Sequence, residues 1–174
     1  MRVDSLKPQD LLVALKIVSL GSDRLTYAKL GQSLGMSQSE VHAAVKRLRN
    51  SRIVSEDGSV LRLCLMEFIS HGVRYVYPAI EGGSSSGLPT GYSGPAMNGR
   101  LTYSAPVVWE NKGSKRDKRH VDGVSIEPIY KTAPFAARQD LKLYKLLSLV
   151  DVFRMGVARE SEIARELLKT ELYE

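Results

Sequence analysis

The stretch from Leu25 to Val54, LTYAKLGQSLGMSQSEVHAAVKRLRNSRIV, constrains this chain more than any other. Thr26 offers a side-chain oxygen to cap a helix over about Tyr27 to Leu34. Gly35 then supplies the stop and the turn, because glycine enters the left-handed region without a Cβ penalty. Ser37-Gln38-Ser39-Glu40 has the spacing of a capping box, in which hydroxyl and carboxylate satisfy each other's backbone amides. A second helix follows, to about Ser51. Along it Val41, Ala44, Val45 and Leu48 recur at helical spacing and must face a core. Gln38, Ser39, His42, Lys46 and Arg49 fall on the opposite side. Two short helices joined by so tight a turn form a helix-turn-helix, whose second helix suits the major groove of DNA.

This segment resembles the winged helix-turn-helix of bacterial regulators of the MarR and Lrp/AsnC kind. The resemblance is carried by Tyr27-Ala28-Lys29-Leu30-Gly31-Gln32-Ser33-Leu34-Gly35-Met36-Ser37-Gln38-Ser39-Glu40-Val41, then Val45-Lys46-Arg47-Leu48 and Ile53-Val54. Gly31 departs from the small alanine-like residue usual in the first helix. Arg52 departs from the usual C-capping glycine, so Asn50 is expected to take the left-handed cap. On this reading Ser37, Gln38, Ser39, His42 and Lys46 read or approach bases. Tyr27, Arg47, Arg49 and Arg52 hold phosphates, which fix position while base contacts choose sequence.

The charge is mildly favourable to such a role. The 174 residues carry a formal +6, divided as +3 over residues 1–72, +3 over 73–134 and zero over 135–174. A polyanion is therefore expected to meet the first two parts rather than the third. No apolar run reaches the length of a membrane span. The N-terminal residues lack the apolar core of a signal peptide, and a lone Cys64 forms no internal disulfide, which together point to the cytoplasm.

Around the central motif, Pro8 suits the first position of a helix whose buried stripe is Leu11, Leu12, Leu15 and Val18, ended by Gly21-Ser22-Asp23. Asp57-Gly58 signals a tight turn after Val54. Val60, Leu61, Cys64, Leu65, Phe68 and Ile69 keep a helical period, so a fourth helix is expected over about Val60 to His71, capped by Ser59 and stopped by Gly72. The competing reading makes Leu61, Leu63 and Leu65 a wing strand. Val73 to Tyr77 is β-prone. Residues 80–99 hold six glycines, four serines and two prolines and read as irregular. Val107-Val108-Trp109 and Val124-Ser125-Ile126 are expected to pair as a hairpin, with NKGSKRDKRH at its tip. Helices follow over Pro134–Arg138, about Asp140 to Met155, and Arg159 to Leu172, the last with Ile163, Leu167 and Leu168 inward.

The middle and tail also resemble a little-characterised group of regulator-like bacterial winged-helix proteins. The matching stretches are His71 to Pro78, Gly87 to Tyr92, Ser125 to Tyr130, and Leu149-Val150-Asp151 with Arg154, Gly156 and Ala158-Arg159-Glu160.

Enzyme signatures are weak. Gly82-Gly83-Ser84-Ser85-Ser86-Gly87 is followed by Leu88-Pro89 rather than the Lys and Ser/Thr of a phosphate loop. His42, His71, His120 and Cys64 lack ligand spacing, so neither a metal nor a cofactor is expected. Glu127 and Asp151 read as ion-pair or capping carboxylates.

The sequence thus points to an α+β, mainly α chain. Residues 1–72 form a winged helix-turn-helix with reduced wing, 73–134 a small β and irregular region, and 135–174 a C-terminal helical pair for dimerisation. The expected function is sequence-specific binding of double-stranded DNA by a homodimeric repressor or autoregulator, without catalysis. Lys112, Lys115, Arg116, Lys118 and Arg119 are candidate accessory contacts. Two alternatives stay open: a protein-interaction module docking a partner such as a toxin, and an enzyme or effector-binding protein centred on residues 73–130.

Overall fold

Pro8, whose missing N–H is no loss at a first helical position, starts α1 (Pro8–Ser19). Asp10 Oδ2 accepts the Lys7 backbone N–H at 2.9 Å and so caps the same turn. The computed structural model describes residues 5–113 and 118–173. Helices α2 (Tyr27–Leu34) and α3 (Gln38–Asn50) follow as expected, the first capped by the Thr26 hydroxyl and ended at Gly35, whose φ is 64°. The departure at Gly31 has a steric reason. A Cβ there would stand 2.6 Å from the Met36 carbonyl oxygen, so the glycine lets the turn close on α2.

The end of α3 corrects one expectation. Arg52, not Asn50, takes the left-handed conformation, with φ 56°. The Arg52 amide donates to the Arg49 carbonyl and the Ile53 amide to the Leu48 carbonyl, each at 2.9 Å. These two bonds make a Schellman end, and Ile53 and Leu48 bury together beneath it. The strain of a non-glycine residue is outweighed by satisfying both carbonyls.

A tight hairpin over Ser55 to Ser59 is closed by one antiparallel bridge, Val54 with Val60. The next helix starts later and runs further than the sequence suggests. It comprises α4 (Arg62–Glu67), a π-helical turn (Phe68–Gly72) and α5 (Val73–Val76). Ser59 is not its cap, Gly72 does not stop it, and Val73 to Val76 is helical rather than β. A Cβ on Gly72 would come within 3.0 Å of the Phe68 ring, so this glycine admits packing within a continuing helix. Leu65, Ile69 and Val73 form its buried stripe, while Cys64 is half-buried and His71 exposed.

The sheet overturns a second expectation. The Gly/Ser-rich segment is the longest strand, β1 (Glu81–Thr90), and it pairs antiparallel with both β2 (Val107–Glu110) and β3 (Val121–Ile126). Strands β2 and β3 run parallel through Val107–Val124 and Val108–Ser125, which closes the three strands into a small barrel. They are therefore not a hairpin, because a hairpin would pair them antiparallel. Poor strand formers are tolerated here because closure demands close approach. A Cβ on Gly87 would stand 1.9 Å from the Trp109 carbonyl oxygen.

Helices α6 (Ala133–Gln139), α7 (Leu141–Met155) and α8 (Ala158–Tyr173) match the expected tail. Helix α7 is apolar nearly all round and enclosed, with α1, α5, α6, α8 and β1 packed against it. On α8 the inward residues are Ala164, Leu168 and Leu172, whereas Ile163 and Leu167 are half-buried. The architecture is α+β, mainly helical, with one small three-stranded sheet, and one hydrophobic cluster joins residues of 1–72, 73–134 and 135–174. Among the described residues no helix is long and apolar enough to cross a membrane.

Two carboxylates fasten α7. Asp151, fully enclosed, accepts from Thr90 Oγ1 and Trp109 Nε1 at 2.7 Å and from Arg154 at 2.6 Å. Burial pushes its carboxyl up, against the pull of Arg154 and the donated bonds. Arg154 also donates to the carbonyls of Tyr77 and Glu127. Asp140 caps α7 through the Leu143 amide and accepts from Lys16 at 2.7 Å and Ser19 at 2.6 Å, tying α1 to α7. Burial opposes its charge, but the Leu143 amide, Lys16 and Ser19 outweigh it and hold the carboxyl below its ordinary value.

Asp151→Ala leaves the buried Arg154 uncompensated and is expected to cost about 3–5 kcal/mol, read as a lowered urea midpoint at unchanged slope. The depressed Asp140 carboxyl contributes stability above the unfolded value of about pH 4, and loses it as pH falls through the lower folded value. Asp140→Asn is therefore expected to be less stable than the parent at neutral pH. Its deficit in urea midpoint should shrink below about pH 4. A deficit that is constant across this range would contradict the assignment.

Candidate nucleic-acid interface

The orientation of α3 follows from which of its neighbours is buried. Val41, Ala44, Val45 and Leu48 pack inward, and this leaves Gln38, Ser39, His42 and Lys46 exposed along one face. Gln38, His42 and Lys46 succeed one another at four-residue steps, so they stand one above the next. The Tyr27 ring meets His42 edge-on, with centroids 5.7 Å apart. Tyr27 is half-buried, so α2 supports the middle of the exposed face.

Arg47 is a correction. Expected among phosphate contacts, it is buried beneath α3. Its Nε donates to Asp10 Oδ2 at 2.7 Å and a terminal nitrogen to Oδ1 at 2.6 Å. The fork geometry of guanidinium against carboxylate makes this a bolt between α1 and α3. The sequence signal was present in outline: Arg47 lies on the helical row of Ala44 and Ser51 rather than that of His42 and Lys46.

Ser37 is also committed. Its hydroxyl accepts the Glu40 amide at 3.2 Å and donates to Glu40 Oε2 at 2.8 Å, while Oε2 accepts the Ser37 amide at 2.8 Å. Ser39 Oγ lies 3.1 Å from Ser37 Oγ. The Ser37 amide and hydroxyl hold the Glu40 carboxyl below its ordinary value, assisted by the Tyr130 hydroxyl at 3.3 Å and by Lys131. Tyr130 and Lys131 were not anticipated, because they lie ninety residues away in sequence and reach the start of α3 only through the packing of α6 on α2.

At the far end, Arg49 is half-buried and Arg52 exposed. Arg24 donates to Ser59 Oγ at 3.1 Å, and Arg24 and Arg49 each place a guanidinium nitrogen 3.9 Å from where a Gly58 Cβ would be. Two cations thus converge on the turn of the hairpin at Gly58. Its tip is acidic: Ser55 and Ser59 bond Asp57 and lower its carboxyl to about 2, so Asp57 stays charged at neutral pH. Arg24 was missed because it sits in a loop with no periodic pattern.

Of the accessory candidates, Lys112, Lys118 and Arg119 are exposed, and Lys112 stands 3.9 Å from Glu110. Lys115 and Arg116 lie outside the described residues. Among the described residues no cluster of three or more His, Cys, Asp or Glu is placed to hold a metal ion.

Comparison with protein-family models, with curated proteins and with solved structures finds no match to this chain.

Two adjacent residues of α3 give a direct test of its orientation. Arg47→Ala is expected to destabilise by about 3–5 kcal/mol by stranding buried Asp10, whereas Lys46→Ala stays within about 0.5 kcal/mol of the parent. Equal urea midpoints for the two variants would show that α3 is rotated from the described position.

Proposed function

We propose that this chain is a DNA-binding transcriptional regulator, in which α1, α2 and α3 with the Val54–Val60 hairpin act as a winged helix-turn-helix and α3 enters the major groove. The observation that carries this reading is the single exposed row Gln38, His42 and Lys46, with Ser39 beside it, on a helix whose opposite side is fully packed. Amide, imidazole and ammonium supply the donors and acceptors that base edges and phosphates require. Arg24 and Arg49, beside the Gly58 turn of the hairpin, are suited to the flanking backbone, where they offset the negative charge of Glu56 and Asp57. Arg52 and Tyr27 remain in the proposed contact set, Arg47 supports α3 from below, and Lys131 joins as a further cation near its N-terminus.

One recognition helix spans only a few base pairs, so a two-fold dimer is part of the proposal, with the two α3 helices about one DNA turn (~34 Å) apart. Helices α1 and α7 are enclosed. In 135–174 the exposed large apolar residues left to meet a copy are Phe135, Leu141, Val157 and Tyr173.

Glutamine pairs bidentately with adenine, and Gln38 stands in the first turn of α3. Binding-site selection with Gln38→Ala is expected to relax preference at one position of each half-site, at a cost of about 1–3 kcal/mol, against a parent that selects a pseudo-palindrome. Lys46→Ala should weaken binding evenly across sequences and reduce the slope of log K against log salt by about one. A parent whose affinity does not fall with salt rejects the DNA reading.

A further inference from the structure

A cleft of about 470 Å³ opens between the barrel and α6, within the size range of small-molecule sites. Three features of its wall bear on what it takes. The first is uncovered apolar surface: Phe135 on α6 is 47% exposed, although its Cδ1 lies only 3.3 Å from where a Cβ on Gly35 would stand, and Ile80 on the barrel side, whose carbonyl accepts the Glu127 amide, is 59% exposed. The second is a pair of cations, Lys131 and Arg138, both on or next to α6. Arg138 is braced by His120, with NH2 and Nε2 3.2 Å apart. The third is a pair of exposed carboxylates, Glu81 and Glu127, from the opposite wall.

We propose that this cleft binds a nucleotide. An aromatic base would cover Phe135 and Ile80. A phosphate would be held by Arg138 and Lys131, guanidinium being suited to phosphate by its fork of donors. The carboxylates supply the acceptors that a ribose diol donates to, the same pairing that acidic residues make in dinucleotide sites. A purely anionic ligand fits less well, because Glu81 and Glu127 would repel it. A purely apolar ligand would leave both pairs of charges desolvated. Glu110 and Lys112, at the remaining edge, already face each other at 3.9 Å and add no net charge. The site lies on the α6 side of α3 and shares only Lys131 with the proposed DNA contacts, so it is tested without DNA.

The test is calorimetric titration of the DNA-free full chain with AMP, adenosine and ribose 5-phosphate. AMP is expected to bind saturably and at least about tenfold more tightly than either fragment, since each lacks one anchor. Phe135→Ala and Arg138→Gln should each weaken AMP by about tenfold or more, while Lys46→Ala on α3 leaves it unchanged. Amide chemical-shift mapping on the parent guards against variants that fold poorly: shifts should centre on Lys131, Phe135 and Arg138. No saturable AMP binding, ribose 5-phosphate binding as tightly as AMP, equal loss in Lys46→Ala, or shifts centred on α3 would each overturn the site.

Discussion

The barrel and its seat on α7 are organised around the buried carboxylate of Asp151. It sits on the enclosed helix α7, where an unpaired charge would be prohibitive, and it collects Thr90 from β1, Trp109 from β2 and Arg154 from its own helix. Arg154 carries the connection on to the carbonyls of Tyr77 and Glu127, at the entry to the barrel and the exit from it. A network of this kind is worth little as net stability compared with an apolar replacement. Its consequence is geometric, because every donor must be in place for any of them to be tolerable. That condition fixes where a small barrel of weak strand formers closes against α7.

A second buried pair does the same for the helices. Asp10 is at once the first-turn acid of α1 and the bidentate partner of Arg47 on α3. With Arg47 turned inward, the alternate rows of α3 are forced outward, and Gln38, His42 and Lys46 are displayed. Asp140 holds the other end of α1 to the start of α7 through Lys16 and Ser19. Helix α1 is therefore clamped at both ends, and the proposed reading head stands on a rigid base. Rigid support of this kind is what side chains need if they are to meet base edges without a large ordering cost.

The same packing links regions that are distant in sequence. Phe135 and Thr132 of the α6 segment close over Gly35 in the turn between α2 and α3, and Tyr130 reaches Glu40. The cleft lined by Phe135 and Lys131 thus borders the start of α3. Occupation of that cleft and the setting of the proposed reading head share residues, which gives a physical route for one to bias the other.

The sequence by itself determined several local devices: Thr26, Gly35, the Ser37–Glu40 box and Pro8 each act through neighbours within four residues, so those helix ends were legible from spacing, whereas the ends near Asn50, Ser59 and Gly72 were not. It also determined the inward stripe of α3, because helical periodicity needs no tertiary information. Tertiary structure decided the rest. Glu81–Thr90 reads as a loop by propensity and becomes a strand because closing a three-stranded barrel brings backbones too near for side chains, as at Gly87 against Trp109. Arg47 reads as a surface cation and becomes a buried bolt, since only the placement of Asp10 thirty-seven residues earlier makes its burial tolerable. Val73 to Val76 reads as strand and becomes helix because Gly72 lets the Phe68 ring pack and the turn continue. In the first two cases a contact distant in sequence decides what residue type alone does not, and in the third a ring packed against a glycine outweighs a propensity of about a fraction of a kcal/mol per residue.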